Sequence, residues 1–381
     1  MEGPANGAEF LAELRKRGER KKPNFRDLSR FFDQKARQKG IPISGQFELT
    51  PLCNLNCRMC YVHLDPGQLR GRSVLSVSEW KDLMTQAFQA GMIRTTLTGG
   101  ECLAYPGFDE LYLFLHSLGC EVTVLTNGVL LDEKRIQFFR EHRPADIQIT
   151  LYGWNDDVYE RVTGRRVFET IERNIRMILE AKLSLTLTIT PNVYLGEDTL
   201  ETVRLARSFT RNVVINPMVF PPREETGRAE QADDPELDLY VRIYQLMDKL
   251  DGQNPREIPP DKRPAPGGPC RNCPDFGIQC AAGRSFFSVD WKGNMQPCNS
   301  LGMVQEHPFE EGFKVAWTKV NNWANEILRA SECNGCAYEE VCDNCAANMM
   351  LFAEPGKQPL EFCKRTVYLV QHGVRYIPEC D

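Results

Sequence analysis

Apolar and polar positions along the chain change rhythm in a regular way. Short runs alternate one apolar with one polar residue, and longer runs between them repeat at helical spacing. "GQFELT" (45–50) predicts a first strand. "SVSEWKDLMTQAFQAG" predicts a helix with Trp80, Leu83, Met84 and Ala87 on one face, a capping box in Ser76 and Glu79, and Gly91 as its stop. "RTTLTG" and "EVTVLTN" predict the second and third strands, separated by the helix "FDELYLFLHSLG", which Gly119 ends. The helix "EKRIQFFREH" leads to the strand "DIQITLYG". The next helix, "VFETIERNIRMILEA", sets Phe168, Ile171, Ile175 and Ile178 on one face. "LSLTLTIT", "TLETVRLARSFT" and "NVVINPMV" add a strand, a helix and a sixth strand.

Six such alternations with β-branched strands predict an α/β fold with parallel pairing and helical crossovers. The pattern suits either an open doubly wound sheet or an incomplete barrel. In both, ligands gather at the carboxyl ends of the strands. Residues 1–44 are polar and predict an N-terminal helical extension, and 45–228 hold the alternating unit. The helix "DLYVRIYQLMDKL" and the connector "NPREIPPDKRPAPGGP" occupy 229–269. From Cys270 the alternation stops. Residues 270–375 are rich in glycine and cysteine, so a bound metal would have to supply folding energy there; 376–381 form a tail.

A chain of 381 residues exceeds one small core, which agrees with this division. The net charge of −6 offers no basic field for nucleic acid. The basic run Arg15–Lys22 reads as a solvated helix face. No apolar run reaches membrane-span length, and "EGPANGAEF" after Met1 lacks the apolar core of a signal peptide. The expected location is cytoplasmic.

In a reducing compartment clustered cysteines read as metal ligands or redox groups, and twelve of the fifteen here are clustered, Cys102, Cys120 and Cys380 being left over. Three lie at 53–60, four at 270–298 and five at 333–363, while the five histidines are scattered. "CNLNCRMCY" places Cys53, Cys57 and Cys60 at C-x3-C-x2-C spacing immediately after the first strand. Iron–sulfur clusters usually take four cysteines, so three thiolates would leave one iron open to an outside ligand. The alternative is zinc, for which His63 is the nearby candidate for a fourth position.

This loop resembles the signature of the radical S-adenosylmethionine (radical SAM) enzymes. Other strand ends agree: "LTGGE" with Gly99, Gly100 and Glu101, and "TNG" with Thr126, Asn127 and Gly128. Thr150 ends the fourth strand and Asn192 follows the fifth. The resemblance covers about residues 45–228. It implies a partial (β/α)6 barrel, a 4Fe–4S cluster on Cys53, Cys57 and Cys60, and SAM on its open iron. By the same resemblance Met59 would line the adenine, and Gly99, Gly100 and Glu101 would meet the SAM amino group. Thr126, Asn127, Thr150 and Asn192 would face SAM. Where relatives carry "RG", this chain reads "VTGRR", and Arg165 is the candidate for the SAM carboxylate.

The tail resembles the SPASM domain appended to radical SAM enzymes that modify peptides. Cys280 precedes Gly293 by twelve intervening residues, and Cys298 follows after four more. Then come Cys333, Cys336, Cys342, Cys345 and Cys363, with the pair "CDNC" one residue tighter than the family spacing. The resemblance implies two auxiliary 4Fe–4S clusters. Cys333, Cys336, Cys342 and Cys363 would hold the outer one. Cys280, Cys298 and Cys345 would hold the inner one, with Cys273 favoured over Cys270 as fourth ligand. Structural zinc on the C-x2-C pairs is the alternative.

The implied activity is reductive cleavage of SAM to a 5′-deoxyadenosyl radical that takes hydrogen from a ribosomal precursor peptide, forming a thioether or other crosslink. The implied partners are that peptide, a reductant such as flavodoxin or ferredoxin, and a separate peptide-recognition protein if the chain does not bind its substrate unaided. Peptide epimerisation is an alternative, with Cys102 or Cys380 as hydrogen donor. Sulfatase maturation to formylglycine is another, although Asn299 stands where those relatives carry an aspartate base. An alternative of a different class is a non-catalytic iron–sulfur electron carrier.

Overall fold

The structure, a computed structural model, describes residues 25–223, 235–252, 280–327 and 360–374, with Ala330, Cys333, Cys336, Tyr338, Val341, Cys342, Cys345, 349–351 and Ala353 between the last two stretches. Cys270, Cys273 and Cys380 lie outside the described residues.

The six expected strands form as β1 (Ser44–Glu48), β2 (Arg94–Thr98), β3 (Glu121–Thr126), β4 (Asp146–Thr150), β5 (Leu185–Ile189) and β6 (Val213–Ile215). Each pairs with the next in parallel, as short crossover helices require. The period-two pattern sorts their faces. Leu185, Leu187 and Ile189 of β5 are buried, as are Ile147 and Ile149 of β4. The alternate positions Gln148, Thr150 and Thr188 line one internal cavity with Thr98, Thr126 and Ile215. Side chains from β2 to β6 reach a single cavity only if the sheet curves around it. The sheet is thus a partial barrel with helices outside.

The helices follow the apolar stripes. Val77–Gln89 carries its capping box and buries Trp80, Leu83, Met84 and Ala87. Phe168–Glu180 buries Ile171, Ile175 and Ile178, but also Asn174, whose Nδ2 donates to the Gly128 carbonyl at 2.8 Å. Each fully buried aliphatic side chain contributes about 1.5–3 kcal/mol. One further helix, Asp156–Thr163, follows β4. Asn155 caps its start, and Gly164 ends it in a left-handed turn at φ 71°.

The sheet does not end at β1. Two strands from the cysteine-rich half, β7 (Phe286–Val289) and β8 (Met295–Gln296), extend it to the order β6-β5-β4-β3-β2-β1-β7-β8. Strand β7 runs parallel to β1, pairing Ser44 with Phe286. Phe287 lies over Gly45, where a Cβ would come within 2.3 Å of its ring. The same ring packs edge-on against Phe47, Phe313 and Trp317, the last two from the helix Phe313–Glu326. The Trp317 indole N–H donates to the Gly40 carbonyl at 2.7 Å. The N-terminal helix Phe25–Lys39 is tied to β2 through the Asp33–Arg94 ion pair. One hydrophobic core therefore runs from the barrel helices to Trp317 and Val320, past the sequence division at 270. Among the described residues, no helix is long and apolar enough to cross a membrane.

Candidate active site

The three-cysteine loop leaves β1 and is clamped on two sides. On one side it meets the glycine pair after β2. Gly100 N–H donates to the Thr50 carbonyl at 2.7 Å, and Glu101 N–H to the Leu52 carbonyl at 2.9 Å. A Cβ on Gly100 would lie 2.4 Å from Leu52 O, and one on Gly99 would lie 2.5 Å from Thr50 O. Gly99 also has φ 153°, in the region that favours glycine. On the other side, the helix Asp156–Thr163 offers its last carbonyls. Asn56 N–H donates to Thr163 O and Arg58 N–H to Val162 O, both at 3.0 Å. The loop thus satisfies carbonyls that a helix end leaves open.

Cys53, Cys57 and Cys60 all line the internal cavity of about 600 Å³. Donors are aimed at two of the sulfurs. Leu55 N–H reaches Cys53 Sγ at 3.4 Å, Asn127 Nδ2 reaches it at 3.5 Å, and His63 N–H reaches Cys60 Sγ at 3.3 Å. Burial, with smaller contributions from Glu101 and Cys60, pushes the Cys53 thiol up to about 12. N–H groups pointing at half-buried sulfur suit thiolates whose charge a metal offsets. Among the described residues, no three His, Cys, Asp or Glu side chains converge as a single-ion site. All three cysteines line the one cavity, whose volume has room for a multi-iron group.

Of the expected SAM contacts, Met59, Gly99, Gly100, Thr126, Asn127 and Thr150 line this cavity. The others are placed elsewhere. The Glu101 carboxylate is buried and accepts from Thr126 Oγ1 at 2.8 Å, Asn127 N–H at 2.8 Å and Leu103 N–H at 3.1 Å. It ties the end of β2 to the end of β3 rather than facing the cavity. Asn192 is fully buried and closes its own turn, accepting from the Tyr194 and Leu195 N–H groups at 3.0 Å. Arg165 is exposed beyond the helix end and does not line the cavity. Cys102 is buried outside the cavity, its thiol donating to the Leu125 carbonyl at 3.2 Å. Burial, then the Glu101 charge, raises its pKa well above the ordinary thiol range.

Gln148, Tyr152, Thr188, Thr190 and Asn216 also line the cavity and were not anticipated. Their signal was the polar member of each strand's alternation. A second unanticipated group lies beneath Tyr61. Arg223 forms a two-bond fork to the buried Glu48 carboxylate at 2.8 and 3.0 Å. Its guanidinium lies 5.5 Å from the centre of the Tyr61 ring, and the Arg223 backbone N–H donates to the Tyr61 carbonyl at 3.1 Å. Burial raises the Glu48 carboxyl pKa, and Arg223 opposes the rise. Asn299 Nδ2 donates to the Tyr61 hydroxyl at 2.6 Å, joining the cysteine-rich half to the loop.

The described cysteines of the cysteine-rich half fall into two groups. Cys298 senses the charges of Cys280 and Cys345, and burial, the larger cause, pushes it up to about 12. Cys363 is pushed up to about 11 by burial and then by Cys342, Cys333 and Cys336.

The model of the Radical SAM superfamily matches residues 47–206, from β1 through the helix after β5. This segment is a radical SAM domain. Such a domain implies a 4Fe–4S cluster and SAM. The chain is 25% identical over 317 residues to the PqqA peptide cyclase of Rhodopseudomonas palustris, covering 79% of this chain and 81% of the relative. It is 29% identical over 153 residues to the sporulation killing factor maturation protein SkfB of Bacillus subtilis, covering 40% and 36%. The solved structure of Streptococcus suis SuiB bound to precursor peptide SuiA superposes with a TM-score of 0.62 at 15% identity, covering 94% of this chain and 89% of that one. That likeness extends the shared fold well beyond the radical SAM domain.

Proposed function

We propose that this protein is a cytoplasmic radical SAM enzyme that modifies a ribosomal precursor peptide, forming a thioether or another crosslink. The observation that carries this reading is the shared cavity. It runs from Cys53, Cys57 and Cys60 to Asn299 and Ser300 of the cysteine-rich half, so both halves face one substrate space. The relatives, a peptide cyclase and a killing-factor maturation protein, point the same way.

The cluster and SAM, when bound, supply a 5′-deoxyadenosyl radical that takes hydrogen from substrate. Cys53, Cys57 and Cys60 would hold the cluster, with the Leu55, His63 and Asn127 donors supporting its sulfurs. Gly99 and Gly100 would present bare backbone to SAM, and Thr126, Asn127 and Thr150 would offer it polar contacts beside Met59. Glu101 and Asn192 act as positioning residues behind this wall. Two auxiliary clusters would sit on the groups around Cys298 and Cys363, with Cys273 completing the first. They would accept the electron that crosslinking releases. A flavodoxin or ferredoxin would supply the reducing electron, and a separate recognition protein would be needed only if the isolated chain fails to bind its substrate.

The epimerisation reading loses a donor at Cys102, whose thiol is bonded away from the cavity. The formylglycine reading lacks a base at Asn299, which donates to Tyr61. The test is anaerobic reconstitution with iron and sulfide, then incubation with reductant, SAM and a short peptide encoded beside the gene. The expected results are iron for three clusters, 5′-deoxyadenosine, and a peptide lighter by two hydrogens. Zinc in place of iron, or SAM left intact, sinks the reading. An unchanged peptide mass with solvent deuterium at an α-carbon replaces crosslinking with epimerisation.

A further inference from the structure

A second chamber of about 480 Å³ adjoins the first. Tyr61, Phe220, Asn299 and Ser300 line both spaces, so the two share that wall. Asp290 and Lys292, from the turn between β7 and β8, and Gln296 of β8 also line the second chamber.

Asp290 organises that turn. It is 2% exposed, and its carboxylate accepts from the backbone N–H groups of Lys292 and Asn294, both at 2.9 Å. It also accepts from Asn294 Nδ2 at 3.1 Å and from Gln296 Nε2 at 3.3 Å. The last bond fixes the Gln296 amide. Flipping it would set a carbonyl oxygen against a carboxylate, so Nε2 stays on Asp290 and Oε1 is turned away from it. Gln296 is 1% exposed and lines the chamber, and its Oε1 has no donor among the described residues. A buried acceptor held in one orientation without a partner is costly unless an occupant supplies the donor.

We propose that the second chamber holds a segment of the substrate peptide and that the Gln296 carbonyl accepts one of its backbone N–H groups. This rests on the peptide-modifying reading above and adds a binding residue to it. The chamber has the volume of a ligand site. Phe220, Pro222 and Met303 give it apolar wall for side chains, while Gln296 gives the polar contact that sets register. A segment anchored there would have its neighbouring residues beside Tyr61 and Asn299, which also line the cavity of the three-cysteine loop.

The test uses the full reconstituted enzyme and its Gln296→Leu and Gln296→Asn variants. The probe is a randomised library of N-acetylated, C-amidated octapeptides, captured on the enzyme and identified by mass spectrometry. The wild type should enrich a family of sequences, and both variants should lose about tenfold of that enrichment. Backbone N-methylation at one position of an enriched peptide should cost the wild type about tenfold and the Leu variant nothing, the signature of a direct pair. Equal enrichment by all three proteins, or a methylation penalty that is the same in the Leu variant, overturns the inference. Peptide capture is read separately from 5′-deoxyadenosine formation. A wild-type enzyme that cleaves SAM yet captures no peptide therefore overturns this inference while leaving the radical SAM reading intact.

Discussion

Gly100→Ala should disable the site without touching a cysteine. The added Cβ would lie 2.4 Å from Leu52 O, 2.6 Å from Pro51 O and 2.7 Å from Leu52 C. All three are backbone atoms of the segment that enters Cys53, so no side chain can swing aside. Reaching even 3.0 Å requires the two backbones to part by roughly 0.6 Å. That strains the bonds from Gly100 N–H to Thr50 and from Glu101 N–H to Leu52. Overpacking costs about 1–3 kcal/mol and each weakened bond about 0.5–1.5 kcal/mol, so the correctly closed loop loses about 4 kcal/mol. That is close to a thousandfold in its population. The assay is iron content and the electron paramagnetic resonance spectrum of the reduced cluster, with and without SAM, followed by 5′-deoxyadenosine formation. Gly67→Ala is the control, because nothing lies within 4 Å of its Cβ position. A Gly100→Ala enzyme with normal iron, a normal SAM-induced spectral change and a normal rate would refute the reasoning.

Two further outcomes bear on the scaffold. Phe287→Ala, in the cysteine-rich half, should destabilise the barrel by about 3–5 kcal/mol, because the ring is fully buried against Gly45, Phe47 and Trp317; limited proteolysis of the holoprotein should then cut within β1 and its flanks, and cutting confined to the cysteine-rich half would contradict the shared core. Ser76→Ala should cost about 1 kcal/mol by chemical denaturation. The Ser76 hydroxyl, then its backbone N–H, holds the Glu79 carboxyl below its ordinary range, so this cap stabilises above the unfolded-state pKa and is lost as pH falls through the depressed one. The variant's stability should accordingly depend less on pH at the acid end, and a parallel acid limb in both proteins would argue against the capping role.

The parts legible in sequence are those where a local pattern has one physical meaning. "LSLTLTIT" buries its leucines and isoleucine and turns Thr188 and Thr190 to the cavity. The cysteine spacing and the glycine pair placed the loop and its neighbour correctly. The rest depended on partners far apart in the chain. Glu48 and Arg223 are 175 positions apart, and neither carries a local signal of the other. Asn174 interrupts an apolar stripe, and only the fold reveals that it holds the "TNG" turn through Gly128. Glu101 could have pointed inward or sideways; the donors of Thr126 and Asn127 decide for sideways. The helix Asp156–Thr163 displays its cap residues, but its eight residues give the apolar period too little length to stand out.

The pairing of β1 with β7 also sets a clock on synthesis. Residues Ser44 and Phe286 are neighbours in the sheet, so about 240 residues must follow β1 before its outer edge can close. At translation rates of roughly 5–20 residues per second, that edge waits for roughly 10–50 seconds on the ribosome. Throughout that interval the strand feeding the cysteine loop offers unpaired N–H and C=O groups to other chains. Its other edge, toward β2, closes far sooner. Slower translation lengthens the open interval, and with it the chance that a nascent chain aggregates before it can take up iron.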